Sequence, residues 1–283
     1  MKIRSLRYIL PFFLLFSMIR AEAQYNELGI MVGVSRYKGE LSRHMFGTDF
    51  LHPAFGIMYR HNWDRRWSWK IELNIGGISG DDAKAQNEFE IDRNLSFHSH
   101  VYELSPQIEF NFFPFETGRP DYPFTPYIFT GISIFHFNPK ADLNDEEYEL
   151  QPLGTEGQGT NGIKRYKRLQ MAIPIGGGIK VSLGRIGFGI EVGARRTYSD
   201  YLDDVSTTYP DMAALNANSG PIAVLLSDRS FSRLDTSNHV PVYMKQRGNA
   251  SDNDWYMFAG VTIFWRLSST LRDICKPFKP RRY

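Results

Sequence analysis

Apolar and polar residues alternate with a period of two along eight stretches of the chain, which predicts strands whose two faces meet different environments. Leu28, Ile30, Val32 and Val34 oppose Glu27, Gly29, Met31, Gly33 and Ser35. Phe55, Ile57, Tyr59 and Trp63 oppose Ala54, Gly56, Met58, Arg60 and Asn62. Trp67, Trp69, Ile71, Leu73 and Ile75 oppose Ser68, Lys70, Glu72, Asn74 and Gly76. In the fourth stretch Tyr102, Leu104, Ile108, Phe110 and Phe112 oppose Val101, Glu103, Gln107, Glu109 and Asn111. The fifth, Tyr127 to Phe137, is apolar on both faces and leaves its orientation open. The sixth and seventh set Met171 to Val181 and Ile186 to Val192 against Gly, Lys180, Glu191 and Arg195; the eighth runs from Trp255 to Arg266.

The polar face separates two fold classes. A soluble sandwich has an apolar inner face and a solvated outer one. Here the polar set is Gly, Ser, Gln and charges of both signs, which suits the narrow lumen of eight strands. Glu72, Glu103, Glu109, Glu191, Lys70, Lys180, Arg60 and Arg195 are expected to face that lumen as mutually neutralising ion pairs. Aromatic residues gather at strand ends, as in the girdles of outer-membrane barrels. Three connections are short: Asp64–Arg66, Glu116–Pro123 and Gly184–Arg185. Four are long, at residues 39–53, 80–96, 138–169 and 198–254. That asymmetry between rims belongs to bacterial outer-membrane barrels, and backbone pairing in lipid requires closure. The expected fold is all-β: a single closed antiparallel eight-stranded outer-membrane β-barrel, residues 24–266, with short periplasmic turns and long extracellular loops. In the last loop, residues 200–209 are read as a helical start and Ile222–Leu226 as a short strand.

Composition narrows the function. Of 283 residues, 33 are Lys or Arg and 31 Asp or Glu, and a formal charge of +2 excludes nucleic-acid binding through a basic face. A mean hydropathy of −0.36 excludes a bundle of membrane helices. The single Cys275 excludes a disulfide framework and a Cys-rich zinc site.

The chain begins with Lys2, Arg4 and Arg7, an apolar run from Tyr8 to Ile19, and Ala21-Glu22-Ala23. This is the order of a cleaved export signal, residues 1–23. Without it the balance shifts to about −1. Residues 267–283 hold Arg272, Lys276, Lys279, Arg281 and Arg282 against Asp273. This tail is expected to be a basic periplasmic arm that docks an acidic partner surface by charge.

Several patterns resemble chemistry without matching it. Gly154–Gly159 lacks the phosphate-loop Lys and a following helix, and reads as a turn. Asp200, Asp203 and Asp204 lack EF-hand spacing; a capped loop is the preferred reading over an ion site, and Asp81 and Asp82 read as solvated loop charges. His98 and His100 fall on one strand face about 7 Å apart, with no orienting partner evident, so a rim enzyme is disfavoured. No cofactor, metal or small-molecule substrate is expected.

Four segments carry a resemblance: Phe137-Asn138-Pro139-Lys140-Ala141, the run Leu150 to Gly159, Ile173 to Lys180, and Asp200-Tyr201-Leu202-Asp203-Asp204-Val205-Ser206. With Gly154, Thr155, Glu156 and Gly157 in the second, they resemble the PorG family of the type IX (Por) secretion system, from Glu27 to Trp265. The resemblance implies a non-enzymatic outer-membrane barrel that contacts outer-membrane lipid and the periplasmic ring proteins of that system. Its implied roles are protein export and, in gliding bacteria, motility. The alternatives are a passive pore, a structural envelope protein and, last, a rim enzyme.

Overall fold

Residue alternation becomes barrel wall. A computed structural model describes residues 24–45, 47–160, 162–230 and 245–267. Its strands are β1 (Tyr25–Lys38), β2 (His52–Asn62), β3 (Trp67–Asp81), β4 (Ser96–Asn111), β5 (Phe124–Gly131), β6 (Ser133–His136), β7 (Lys140–Leu143), β8 (Glu146–Glu149), β9 (Leu169–Leu183), β10 (Ile186–Thr197) and β11 (Trp255–Leu267). β1 to β4 pair in sequence, antiparallel throughout. β5 and β6 together form one stave, interrupted at Ile132, and both lie between β4 and β9. β9, β10 and β11 follow, and β11 pairs with β1 from Asn26↔Leu267 to Lys38↔Trp255. The expected closed ring of eight antiparallel staves is therefore observed, with every wall edge paired.

Val32, Phe55, Ile57, Leu73, Ile108, Ile128, Ile175, Ile190 and Val261 all point outward and remain about half exposed. So large and continuous an apolar exterior is matched to lipid, not to water. The ambiguous fifth stretch resolves by register: Tyr127, Phe129 and Phe135 are buried inward, while Ile128 and Ile134 face outward.

The interior is filled in three layers. At the short-turn rim, Phe115 inserts from the connection after β4 and packs with Met58 and Phe264. Glu116 and Thr117 follow it inside; the Thr117 hydroxyl donates to Glu27, and Glu116 pairs with Arg65, Arg119 and Arg266. The connection expected to be a plain turn is thus the floor of the barrel. In the middle layer Arg60 pairs with Glu27 at 2.8 Å and Glu109 at 3.2 Å. Lys70 bridges Glu72 at 2.8 Å and Glu191 at 2.7 Å, Lys180 pairs with Glu109, and Arg195 meets Glu103 at 3.1 Å. The lumen-facing charges are paired as the sequence predicts. Buried ions tolerate this setting only when each has partners, and the aromatic rings assist: Lys70 Nζ lies 4.4 Å from the Phe129 ring centre. Above them Tyr37, Phe135, Phe137, Tyr256 and Phe258 form an upper apolar layer.

The long connections depart most from expectation. Residues 138–169 continue as the β7–β8 hairpin, tied to β4 through His98↔Lys140, then a single helical turn at Leu150–Leu153. Ile222–Leu226 is helical, inside Pro221–Ser227; Pro221 supplies a preset φ at the first helical position, and Gly220 breaks it from the helix Met212–Ser219. Residues 200–209 contain no helix. The Asp203 side chain accepts from the Val205 N–H, and Asp204 takes a left-handed φ of 66°, which stops helical propagation. Asp82 is not a solvated charge: it is buried and grips Arg93 at 2.7 and 2.8 Å, while Asp81 caps a short turn by accepting from Ala83. The predicted signal, residues 1–23, and the tail residues Arg272, Lys276, Lys279, Arg281 and Arg282 lie outside the described residues.

Candidate functional site

Three loops meet over the long-loop mouth of the barrel and bring most of the motif residues into one buried polar cap. The glycines come first. Gly154 ends the Leu150–Leu153 turn with φ 64°, and a Cβ there would lie 2.1 Å from the Gln158 carbonyl oxygen. Thr155 and Glu156 follow this tight return and are both buried; Gly157 takes a second left-handed φ, 83°.

Arg247 fills the centre. Its Nη1 donates to Glu156 Oε1 at 2.9 Å and to the Asp204 carbonyl at 2.5 Å, and its Nε to the Ser227 carbonyl at 3.2 Å. Glu156 accepts further bonds from the Ser206 N–H, the Thr207 N–H and the Thr207 hydroxyl. Asp204 accepts from the Thr155 hydroxyl and, at 2.8 Å, from the Tyr166 hydroxyl. Arg93 reaches the Arg247 carbonyl at 2.6 Å, joining the loop after β3 to the same knot. Tyr201 stacks on Tyr166 with ring centres 4.8 Å apart, and Tyr166 stacks on Phe137 at 6.1 Å. Burial pushes the Asp204 carboxyl up to about 7, against the pull of Arg247 and the two hydroxyl donors. Burial likewise lifts Asp203 to about 6, although Tyr37, Arg93 and Arg247 favour its ionised form.

Asn138 and Pro139 stay beside the knot. The Asn138 N–H donates to the Ser99 hydroxyl, its amide to Glu149, and the Pro139 carbonyl accepts from Leu150, so they anchor the base of the hairpin. His98 does have a partner, contrary to expectation: its Nε2 lies 2.7 Å from Glu147 Oε2, supplied by β8. The pair is on the outer side of the wall, whereas Ser99 is buried on the inner side and Ser96 accepts from Arg229. Among the described residues, the hydrogen-bond partner of the His98 ring is Glu147 and not a serine. Arg247, Arg93, Tyr166, Tyr37, Glu40 and Asp254 were missed by motif reading, because each is an isolated residue whose partners lie far away in sequence.

Over residues 6–219 the sequence matches the profile described as Domain of unknown function (DUF6089). The chain belongs to the DUF6089 family. In this DUF6089 protein the matched region takes in Thr155, Glu156, Asp203 and Asp204, while Arg247 and Asp254 fall beyond it. No curated protein matches the chain. Among solved structures the DUF6089 chain is similar to Ail of Yersinia pestis, solved in complex with the heparin analogue sucrose octasulfate. That likeness has 9% identity, a TM-score of 0.40, and covers 87% of this chain and 100% of Ail. Neisserial surface protein A gives 7%, 0.41, 87% and 100%. OprG of Pseudomonas aeruginosa gives 8%, 0.39, 87% and 98%. The barrel of the DUF6089 protein is defined by its own strand pairing.

Proposed function

We propose that this protein is a non-enzymatic outer-membrane barrel that works as an anchor and docking component of a protein-secretion assembly. The observation that carries the reading is the filled lumen. Phe115 and the Glu116 cluster occupy the short-turn end, paired charges the middle, and the Arg247 cap the other mouth. An apolar wall around a packed interior leaves the rims as the working surfaces. The four PorG-like segments support a place in type IX secretion, with the short-turn rim facing the periplasmic ring proteins and the basic tail, from Arg272 to Arg282, as the docking arm. Export by a cleaved signal accompanies this reading.

Cross-linking in intact cells tests it. Periplasmic secretion proteins are expected among the adducts, and deletion of residues 267–283 is expected to reduce their recovery. Capture of unrelated envelope proteins, with unchanged export in a strain lacking the protein, defeats the secretion role. Planar-bilayer recording separates the pore alternative: the packed lumen predicts no single-channel steps. Carbonate-resistant sedimentation and a heat-dependent shift on gels check the membrane barrel itself.

A further inference from the structure

Four carboxylates crowd the edge of the cap beside the ends of β1 and β11. Glu40, Asp203 and Asp254 each present an oxygen within 4.8 Å of the other two. The Tyr37 hydroxyl lies 2.5 Å from Asp203 Oδ2 and 3.1 Å from Asp254 Oδ1, and its single proton serves one of them. Backbone N–H groups of Val205, Leu202 and Asn249 hold the other oxygens of Asp203, Asp254 and Glu40, fixing all three carboxylates in orientation. Glu40 Oε2 is buried with no hydrogen-bond partner.

Asp200 supplies the independent sign. It is 6% exposed, and neither carboxylate oxygen has a hydrogen-bond partner. It sits between Ser199, whose carbonyl accepts from the Asp254 N–H, and Leu202, whose N–H donates to the Asp254 carboxylate, so it lies beside the same cluster. The nearby guanidiniums are engaged elsewhere, Arg93 with Asp82 and Arg247 with Glu156. The carboxylates here outnumber the two guanidiniums beside them, which are already held by Asp82 and Glu156, and that excess suits a bound cation.

Two oxygens bound to one calcium at about 2.3–2.6 Å lie no more than about 5.2 Å apart, and the three oxygens here fall inside that limit. Magnesium requires a tighter octahedron and keeps its waters, and zinc prefers nitrogen and sulfur donors. A surface cleft lined by Lys38, Glu40, Arg43, Asn249 and Asp252 opens onto Glu40; of its cations, Arg43 is paired with Glu90. We propose that Glu40, Asp203 and Asp254, backed by Asp200, bind one calcium ion at the mouth of the barrel. The ion would join the end of β1, the 198–254 loop and the start of β11 at a single point. This site is independent of the secretion reading.

The full-length protein, folded in detergent and stripped with chelator, is examined by equilibrium dialysis with calcium and by terbium luminescence sensitised through Tyr37 and Trp255. One calcium per chain and one terbium site displaced by calcium are expected. Glu40→Gln and Asp200→Asn should each weaken binding at least tenfold while retaining the heat-dependent gel shift. Absence of calcium binding by the folded wild type at millimolar calcium overturns the proposal, as does wild-type affinity in both variants. Should either variant fail to fold, the wild-type dialysis decides.

Discussion

Arg247 and Glu156 meet at 2.9 Å across 91 residues of chain, and their pair is the keystone of the cap. Both side chains are fully buried, so removing one strands the other's charge away from water. Arg247→Ala is expected to destabilise the cap by about 3–5 kcal/mol. Limited proteolysis within residues 198–254 should accelerate, while the heat-dependent gel shift of the barrel persists. Loss of both together would mean that cap and wall unfold as one unit.

In the middle layer, Glu109 serves both Arg60 and Lys180. Glu109→Ala leaves two buried cations with fewer partners and should cost about 3–5 kcal/mol. Urea unfolding in lipid vesicles, followed by tryptophan fluorescence, measures this. An unchanged midpoint would show that water already reaches the layer.

Closure of the barrel depends on a small residue at the β1–β11 seam. A Cβ on Gly33 would lie 2.0 Å from the Ala259 carbonyl oxygen and 2.5 Å from Gly260 Cα, both backbone atoms with no freedom to retreat. Gly33→Val is therefore expected to prevent closure and abolish the gel shift, whereas Val32→Leu, on the lipid face, should preserve it.

The raised carboxyls of Asp203 and Asp204 set a pH dependence with a definite sign. Their folded values, about 6 and about 7, lie above the ordinary 3.8, so the folded cap holds protons that the unfolded loop releases. Cap stability should fall as pH rises through this window, by about 1.4 kcal/mol per pH unit for each proton held. Without metal, cap proteolysis should be slower at pH 5 than at pH 8. The groups facing these carboxyls are Tyr37, Glu40, Asp254, Arg93 and Arg247 for Asp203, and Arg247, Thr155, Tyr166 and Glu156 for Asp204. A flat profile would mean that water enters the cap.

The wall was legible because strand alternation is local: Ile71 faces outward and Lys70 inward whatever the partner strand is. Glu72, Glu109 and Arg195 were readable as lumen charges for the same reason. The fifth stave was not, since an aromatic lumen layer at Tyr127 and Phe129 erases the polar half of the pattern. The cap was illegible for a different reason. Asp82 is buried by Arg93, 11 residues on, and Tyr37 meets Asp254 across 217 residues, so their burial is decided by tertiary contacts. The motifs located Thr155, Glu156, Asp203 and Asp204, but contained no sign that Asp203 and Asp204 point into different networks.

The seam between β1 and β11 joins the two ends of the wall. The first stave exposes an unpaired backbone edge until the last arrives, and the contacts that close the ring are among the most distant in sequence. Such closure is slow, and an open apolar edge invites pairing with other chains meanwhile. A chain whose ring is still open therefore gains from shielding, and the pairing of β11 with β1 is the latch that ends that need.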